Sequence, residues 1–519
     1  MSKMPIWSRG GGRKEELTMG KKAALHNLGC KVNAYETEAM RQLLEEAGYE
    51  IVPFAPGADV YVINTCSVTN IADRKSRQML HRARKMNPDA IVVATGCYVQ
   101  TAERPVEEDQ TVDLVLGNNC KKDLIEALRM FEAAREGDAM DLRGDPAGYT
   151  TESGQMENST KLPAVQKEDT GRGQLSTISP EHEFGWTAGH VVGKIDINHN
   201  HEYETLSITR TEEHTRAYIK VQDGCNQFCT YCIIPYARGR VRSRRPEDVL
   251  REVELLAGNG CREVVLTGIH LSSYGSDFKS SLIQEGSNAG DAQLSLLTLI
   301  QAVHEVPGIA RIRLGSLEPG IVTEEFASCL HTLPKVCPHF HLSLQSGCTS
   351  VLKRMNRRYT AEEFEEKCAI LRNVFDRPAI TTDVIVGFPQ ETQEEFDITV
   401  KFLEKIHLYE THIFKYSRRQ GTRAAAMPGQ IPETEKGVRS DILIELGERN
   451  RNKFEEECAG KTVEALFEEK EILDGVEYFL GYTKEYIRVA VPAKRDDSNQ
   501  VLIGKLGKQI SPHIYLLAQ

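Results

Sequence analysis

The chain has 519 residues, 40% apolar and 27% charged, with 64 Lys and Arg against 75 Asp and Glu and a net charge of −11. That length supports about three domains and more than one buried core, and the acidic balance excludes a globally basic coat for nucleic acid while leaving local basic patches open. No run of about 18 apolar residues marks a membrane span, no apolar stretch marks a secretory signal, and thirteen cysteines in so long a chain do not read as a small disulfide scaffold. We therefore expect a cytoplasmic protein with no membrane association, whose cysteines serve as metal ligands.

Residues 1–20 carry Gly and charge without apolar periodicity and read as a disordered leader. Residues 21–140 alternate short apolar runs with helical patterns. Candidate strands are Ala23–Leu28, Val60–Asn64, Ile91–Ala94 and Val112–Leu116, with helices over Glu36–Ala47 and Ile71–Met86. This is the pattern of a parallel α/β domain. Residues 141–212 break it: Leu, Ile, Val and Phe make up 12 of 72, and 12 acidic residues face 6 basic ones. The segment reads as an acidic, mostly disordered insertion. From 213 to 456 a second series follows. Its strands are Ala217–Val221, Glu263–Leu266, Arg311–Leu314, His339–Leu344, Ile380–Val386 and His412–Tyr416, with helices between them and one long helix over Thr434–Cys458. Six βα units predict a partial (β/α)6 TIM-like barrel. Residues 457–519 are short strands with Gly turns and predict a small antiparallel β-barrel.

Cys225, Cys229 and Cys232 form C-x3-C-x2-C on a loop directly after a predicted strand. Three close thiolates can each hold one iron of a cubane cluster and leave the fourth iron open. Zinc competes for such thiolates, but structural zinc sites close with a fourth Cys or His at short spacing, and none follows Cys232. Cys30, Cys66 and Cys97 each lie just past the carboxyl end of a predicted strand, and in a parallel sheet those ends share one edge. They form either a second site or three buried cysteines. Cys120 also follows a strand, so geometry alone does not force a set of three. Cys261, Cys329, Cys337, Cys348, Cys368 and Cys458 share no ligand spacing and are assigned to packing, and Asn198-His199-Asn-His201-Glu202 to a solvated segment.

These residues resemble the radical SAM methylthiotransferase family. The resemblance is carried by the C-x3-C-x2-C with Tyr231 before its last Cys, by Val221-Gln-Asp-Gly-Cys225 and by Ile233-Ile-Pro-Tyr-Ala-Arg-Gly-Arg240. Further matches are Leu266-Thr267-Gly268, Leu344-Gln345-Ser-Gly347, Lys353-Arg-Met-Asn-Arg-Arg358 and Asp383-Val-Ile-Val-Gly387-Phe-Pro389. The resemblance implies two [4Fe-4S] clusters, one on Cys225, Cys229 and Cys232 with S-adenosylmethionine at the open iron, and one on Cys30, Cys66 and Cys97. It implies a radical SAM core over 213–456 and a TRAM-type RNA-binding barrel over 457–519. It also implies cofactor contacts from Thr267, Gly268, Arg313, Glu318 and Gln345. The turn Leu28-Gly-Cys-Lys-Val-Asn33 is similar to the branch acting on N6-threonylcarbamoyladenosine at position 37 of tRNA. Where the family usually has Gly after Phe-Pro the chain has Gln390, and where it has Ser-Ser before Leu-Glu-Pro the chain has Gly315-Ser316.

A tRNA partner is expected to meet the local basic clusters, with contacts assigned to Arg238, Arg240, Arg242, Arg244, Arg354, Arg358, Arg418 and Arg488. Tyr482 and Tyr486 offer stacking, with core packing expected for at least one of them. The expected partners are completed by an electron donor such as flavodoxin or ferredoxin, and the expected state is monomeric. Two alternatives stand beside this reading. One is the same chemistry on isopentenyladenosine tRNA or a ribosomal protein; the other is an iron–sulfur carrier or electron-transfer protein with no substrate of its own.

Overall fold

The structure is a computed structural model and describes residues 20–102, 104–136, 184–187, 190–211, 215–278 and 294–518. The 1–20 leader, apart from Gly20, and most of the 141–212 insertion lie outside the described residues.

The first domain is a seven-stranded sheet in the order β2-β1-β3-β4-β5-β7-β6. Its strands are β1 (Lys22–Asn27), β2 (Glu50–Ile51), β3 (Val60–Thr65), β4 (Ile91–Gly96), β5 (Leu114–Leu116), β6 (Gly185–Thr187) and β7 (His190–Gly193). All neighbours are parallel except β6 and β7. Every residue of β3 and β4 is buried, as a parallel sheet covered on both faces requires. The covering helices are α1 (Lys31–Glu46), α2 (Asn70–Met86) and α4 (Leu124–Glu136), with the short α3 (Cys97–Thr101) beginning where β4 ends. Helix α1 is buried on two sides. Met40 and Leu44 pack on its own sheet, while Tyr35 and Ala39 enter the core of the next domain.

The expectation of an unfolded segment running to residue 212 is corrected here. Strand β7 extends the sheet beside β5, and Ile197, Leu206 and Ile208 are buried. A low average of apolar residues over 72 positions hid a short structured stretch, because its few apolar residues are concentrated near its end.

The central domain contains β8 (Arg216–Asp223), β9 (Arg242–Ser243), β10 (Glu263–Gly268), β11 (Arg311–Leu314), β12 (His339–His341), β13 (Ala379–Val386) and β14 (Glu410–Lys415). Six of these are parallel, in ladders β8-β10-β11 and β12-β13-β14, linked by single bridges Ile312–Val336 and Leu317–Leu342; β9 is an antiparallel edge on β8. The expected strand His339–Leu344 is shorter, ending at His341, because beyond it the Leu344 amide donates to Thr382 Oγ1 at 3.0 Å and that hydroxyl donates to Leu342 O, in place of backbone ladder bonds. The outer helices are α5 (Ile234–Ala237), α6 (Pro246–Gly258), α7 (Leu296–Glu305), α8 (Glu324–His331), α9 (Thr349–Arg354), α10 (Ala361–Val374), α11 (Gln393–Ile406) and α12 (Glu433–Cys458). Thr360 with Glu363, and Thr392 with Glu395, close reciprocal capping boxes that start α10 and α11, as the Thr-x-x-Glu spacing dictates.

The third domain is a closed barrel of β15 (Thr462–Leu473), β16 (Val476–Thr483), β17 (Arg488–Pro492), β18 (Val501–Ser511) and β19 (Ile514–Ala518), in the order β15-β16-β17-β19-β18. Its pairs are antiparallel apart from β17 with β19. It docks on the amino-terminal end of the central strands. Buried Arg311 donates to the carbonyls of Tyr482 and Glu464 at 2.7 and 2.8 Å, and Arg313 to those of Thr483 and Lys484 at 2.7 and 2.8 Å. Among the described residues no helix is long and apolar enough to cross a membrane.

Candidate active site

Cys225, Cys229 and Cys232 lie on the loop leaving the carboxyl end of β8. Gly224 makes this exit possible: its φ is +70°, and a Cβ there would sit 1.8 Å from the Arg240 carbonyl oxygen, so no side chain fits. The loop is tied down from outside. The Cys225 amide donates to Gly239 O at 3.0 Å, Thr230 Oγ1 to Arg354 O at 2.9 Å, and Asn356 Nδ2 to Phe228 O at 3.1 Å. Arg357 Nη1 reaches Cys229 Sγ at 3.2 Å, and its Nη2 meets Glu318 Oε1 at 2.8 Å. The other Glu318 oxygen is held by His270 Nε2 at 2.7 Å, and these partners hold that carboxyl below its ordinary range despite burial. Burial pushes the Cys225 and Cys232 thiols up to about 11 and about 12, so they deprotonate only when a cation takes the proton's place.

Cys30, Cys66 and Cys97 follow β1, β3 and β4, which are adjacent in the sheet, and this adjacency brings them together across 67 residues of sequence. Gly29 passes over Cys66 with φ +108°; a Cβ on it would lie 2.9 Å from Cys66 Sγ. Asn33 fixes both turns, its Nδ2 donating to Leu28 O at 2.7 Å and Thr65 O at 3.0 Å. Cys120, buried after β5, is set among Glu204, Lys121, Asp123 and Lys122, away from this group.

Between the two triplets lies a buried ionic cluster. Arg238 donates to Cys97 Sγ at 3.3 Å, to Asn33 Oδ1 at 2.7 Å, and to Glu36 and Asp223 at 2.8 and 3.2 Å. Lys220 bridges the same two carboxylates at 2.7 Å each, and Lys121 meets Glu36 and Glu204 at 3.4 and 3.8 Å. With Arg242 at 3.6 Å from Asp223, four cations face three carboxylates. The surplus positive charge lies beside Cys97, where it fits an anionic sulfur ligand. Among the described residues only one set of three His, Cys, Asp or Glu ligand atoms closes to within 4.8 Å, and it contains no cysteine. Tetrahedral zinc would draw its sulfurs to about 3.8 Å of one another, whereas a cubane holds each thiolate on a separate iron. Both triplets therefore fit a cluster better than zinc.

Thr267 and Gly268 end β10, and Glu318 and Gln345 lie beyond β11 and β12, so these four share the carboxyl edge of the barrel with the Cys225 loop. Arg313 does not. Its guanidinium points to the opposite end, paired with Glu263 at 2.8 Å and with the C-terminal barrel, so its assignment to the cofactor is corrected. The RNA assignments of Arg238, Arg242 and Arg244 are corrected as well. All three are buried, and Arg244 is spent on Glu252 and on Tyr35 of α1. Arg240 stacks over Phe228 at 4.6 Å, Arg354 pairs with Glu395 at 2.5 Å, and Arg488 with Glu471 at 2.8 Å. Arg358 and Arg418 are exposed.

Tyr486 lies under Arg216 and Arg313, stacked on Tyr482 at 4.8 Å, and closes the barrel floor. A groove of about 1190 Å³ opens between α2 and the segment after β14; Arg77, Arg104, Arg418 and Arg423 line it beside Tyr98. Reasoning from sequence missed Arg357, although its motif was in view, because nothing local separates it from its equally charged neighbours Arg354 and Arg358.

Residues 22–117 match the family described as "Uncharacterized protein family UPF0004", and residues 219–403 match the "Radical SAM superfamily". The chain is 36% identical over 487 residues to the threonylcarbamoyladenosine tRNA methylthiotransferase MtaB of Bacillus subtilis, covering 93% of this chain and 92% of that one. It is 38% identical to the protein of that name from Aquifex aeolicus, covering 87% and 94%. It is 32% identical to the tRNA-2-methylthio-N(6)-dimethylallyladenosine synthase of Acetivibrio thermocellus, covering 88% and 82%.

Proposed function

The chain belongs to the radical SAM methylthiotransferases, and on that footing we propose that it attaches a methylthio group to C2 of N6-threonylcarbamoyladenosine at position 37 of tRNA. The observation that carries the reading is the pair of cysteine triplets, one on the β8 loop and one on the neighbouring sheet edge, joined through Arg238. Supporting the choice of substrate are the 36% and 38% identities to relatives named for threonylcarbamoyladenosine.

Cys225, Cys229 and Cys232 would hold one [4Fe-4S] cluster, and Cys30, Cys66 and Cys97 a second. With S-adenosylmethionine bound at its open iron, the first supplies the one-electron chemistry that an unactivated aromatic C–H bond demands and that side chains lack. The chain's own residues then orient and enclose. Arg357 holds the Cys229 sulfur with one terminal nitrogen and Glu318 with the other. His270 fixes the second Glu318 oxygen, which leaves a preset carboxylate at the rim. Thr267, Gly268 and Gln345 complete that rim, and Tyr486 closes the floor against water. Arg238 keeps positive charge against Cys97. Phosphates of the anticodon arm would meet Arg418 and the other arginines of the groove, with Arg358 nearer the Cys225 loop. A low-potential one-electron donor of the flavodoxin or ferredoxin class completes the partners.

The 32% identity to the dimethylallyladenosine enzyme favours the same chemistry on that base as the second reading. Mass spectrometry of tRNA nucleosides from cells with and without the gene decides between them. Selective loss of methylthio-threonylcarbamoyladenosine is expected. Loss of the methylthio-isopentenyl nucleoside instead would transfer the substrate, and no change in either would overturn both.

A further inference from the structure

The middle layer of the barrel carries polar groups that the chemistry above does not use. Along β13 and β14, Ile380, Val384 and Ile413 pack into the core under the outer helices, so the alternate residues face the lumen. Asp383 stands directly opposite His412 in the ladder. His341 of β12 places Nε2 3.3 Å from Asp383 Oδ2 and turns Nδ1 to Thr381 Oγ1 at 2.9 Å. Its ring stacks on that of His412 at 5.8 Å. His412 is exposed and His341 and Asp383 half-buried, so the layer opens to solvent inside the barrel. It lies three residues before the end of β13, roughly 10 Å below the rim at about 3.3 Å per residue.

Lys31, the first residue of α1, is exposed and next to Cys30. It forms no hydrogen bond or ion pair with the described residues; burial and then the Arg216 and Arg313 charges hold its ammonium below its ordinary range, while Asp383 acts against them. The arginines are already engaged by Glu263 at 2.6 and 2.8 Å. Lys31 is thus a cation left over in a lumen that already holds two imidazoles and one carboxylate.

We propose that Lys31, His341 and His412 form a carboxylate-binding pocket in the barrel lumen, with Asp383 as the acceptor beside it, that seats the threonyl end of the substrate's N6 substituent. This rests on the threonylcarbamoyl reading above and says which residues read it. The threonyl carboxylate takes the ammonium and imidazole donors, while the ureido N–H or the hydroxyl donates to Asp383. An isopentenyl group can satisfy none of them, and polar groups left unpaired in a closed site discriminate strongly. A divalent cation would also suit two His and one Asp, whose ligand atoms lie within 4.8 Å of one another, but the Lys31 ammonium opposes a second positive charge there.

The test uses the full-length protein and anticodon stem-loop RNAs carrying adenosine, threonylcarbamoyladenosine, its methyl ester, or isopentenyladenosine at position 37. The wild type is expected to bind the threonylcarbamoyl RNA about tenfold or more tighter than the adenosine RNA, the scale of one charge-assisted contact, and the ester is expected to lose that gain. The ratio should collapse toward one in Lys31→Met and His412→Leu and recover in part in Lys31→Arg. An unchanged ratio in both variants, or an ester bound as well as the acid, overturns the pocket while the substrate reading stands. A wild type that prefers the isopentenyl RNA overturns the substrate reading, and the pocket with it. A Co2+ spectrum with nitrogen and oxygen ligation that disappears in His412→Leu would make the triad a metal site and also overturn the proposal.

Discussion

The two cysteine triplets of this protein are built in opposite ways. Cys225, Cys229 and Cys232 fit within eight residues of one loop, and their positions follow from the spacing, Gly224 and a few anchoring hydrogen bonds. Cys30, Cys66 and Cys97 are brought together only because β1, β3 and β4 are neighbours in one parallel sheet, and the buried ions around Arg238 then lock that sheet edge to the barrel. A local site survives modest damage elsewhere in the fold; an assembled site depends on every element that supplies it.

The sharpest separation of the two is by cysteine removal. Cys229→Ala is expected to abolish reductive cleavage of S-adenosylmethionine and to lose half of the iron. Cys66→Ala should keep 5′-deoxyadenosine formation and stop methylthio product, with a similar loss of iron. Chromatography of cleavage products beside iron analysis checks both; methylthio product from the Cys66 variant would remove the second triplet from the reaction.

Next in size is Arg238→Met, which leaves Glu36 and Asp223 buried with one partner fewer. It should cost about 3–5 kcal/mol and empty the dispersed site before the local one. Urea unfolding followed by iron content and by the cleavage assay reads the two effects separately; equal depletion of both sites would blur the contrast.

Acid tests the floor rather than either triplet. The three arginines around buried Glu263 hold its carboxyl down from 4.5 to about 2. Its contribution, roughly 3 kcal/mol, is present above about pH 4.5 and is lost as the pH falls toward 2. Glu263→Gln should remove that part of the acid dependence and loosen the C-terminal barrel, which limited proteolysis between pH 5 and 3 would show.

A smaller effect is expected in the groove. Arg418→Ala with Arg423→Ala should lower the slope of log affinity against log salt by about one for each phosphate no longer neutralised. The smallest is at Gln390, which holds a left-handed φ of 67° where the resembling family has Gly. Gln390→Gly is expected to change stability by no more than about 1 kcal/mol, read as a shift in thermal midpoint.

Much of the fold was legible in the amino-acid order. The observed strand Arg311–Leu314 coincides with the expected one and the long helix Glu433–Cys458 differs from its expected span by one residue, and the others shift by a few residues at their ends, because apolar period and capping chemistry are local. The arginines were not legible. Five in eight residues from Arg238 to Arg245 look like a surface for phosphate, yet Arg238 and Arg244 are buried against Glu36, Asp223 and Glu252. Arg313 reads as a rim residue from its strand and belongs to the floor, because its pairing with Glu263 and Thr483 crosses two domains.

The sequence by itself determined the alternation of strands and helices, the thiolate loop after β8 and the strand ends that carry Cys30, Cys66 and Cys97. Spacing and hydrophobic period act within a few residues and can be read there. Only the tertiary structure decided which charges are spent in burial, which arginines face solvent, and that His341, Asp383 and His412 meet inside one barrel. Those outcomes depend on contacts between residues hundreds of positions apart, and the energy of a charge is set by what surrounds it rather than by its neighbours in the chain.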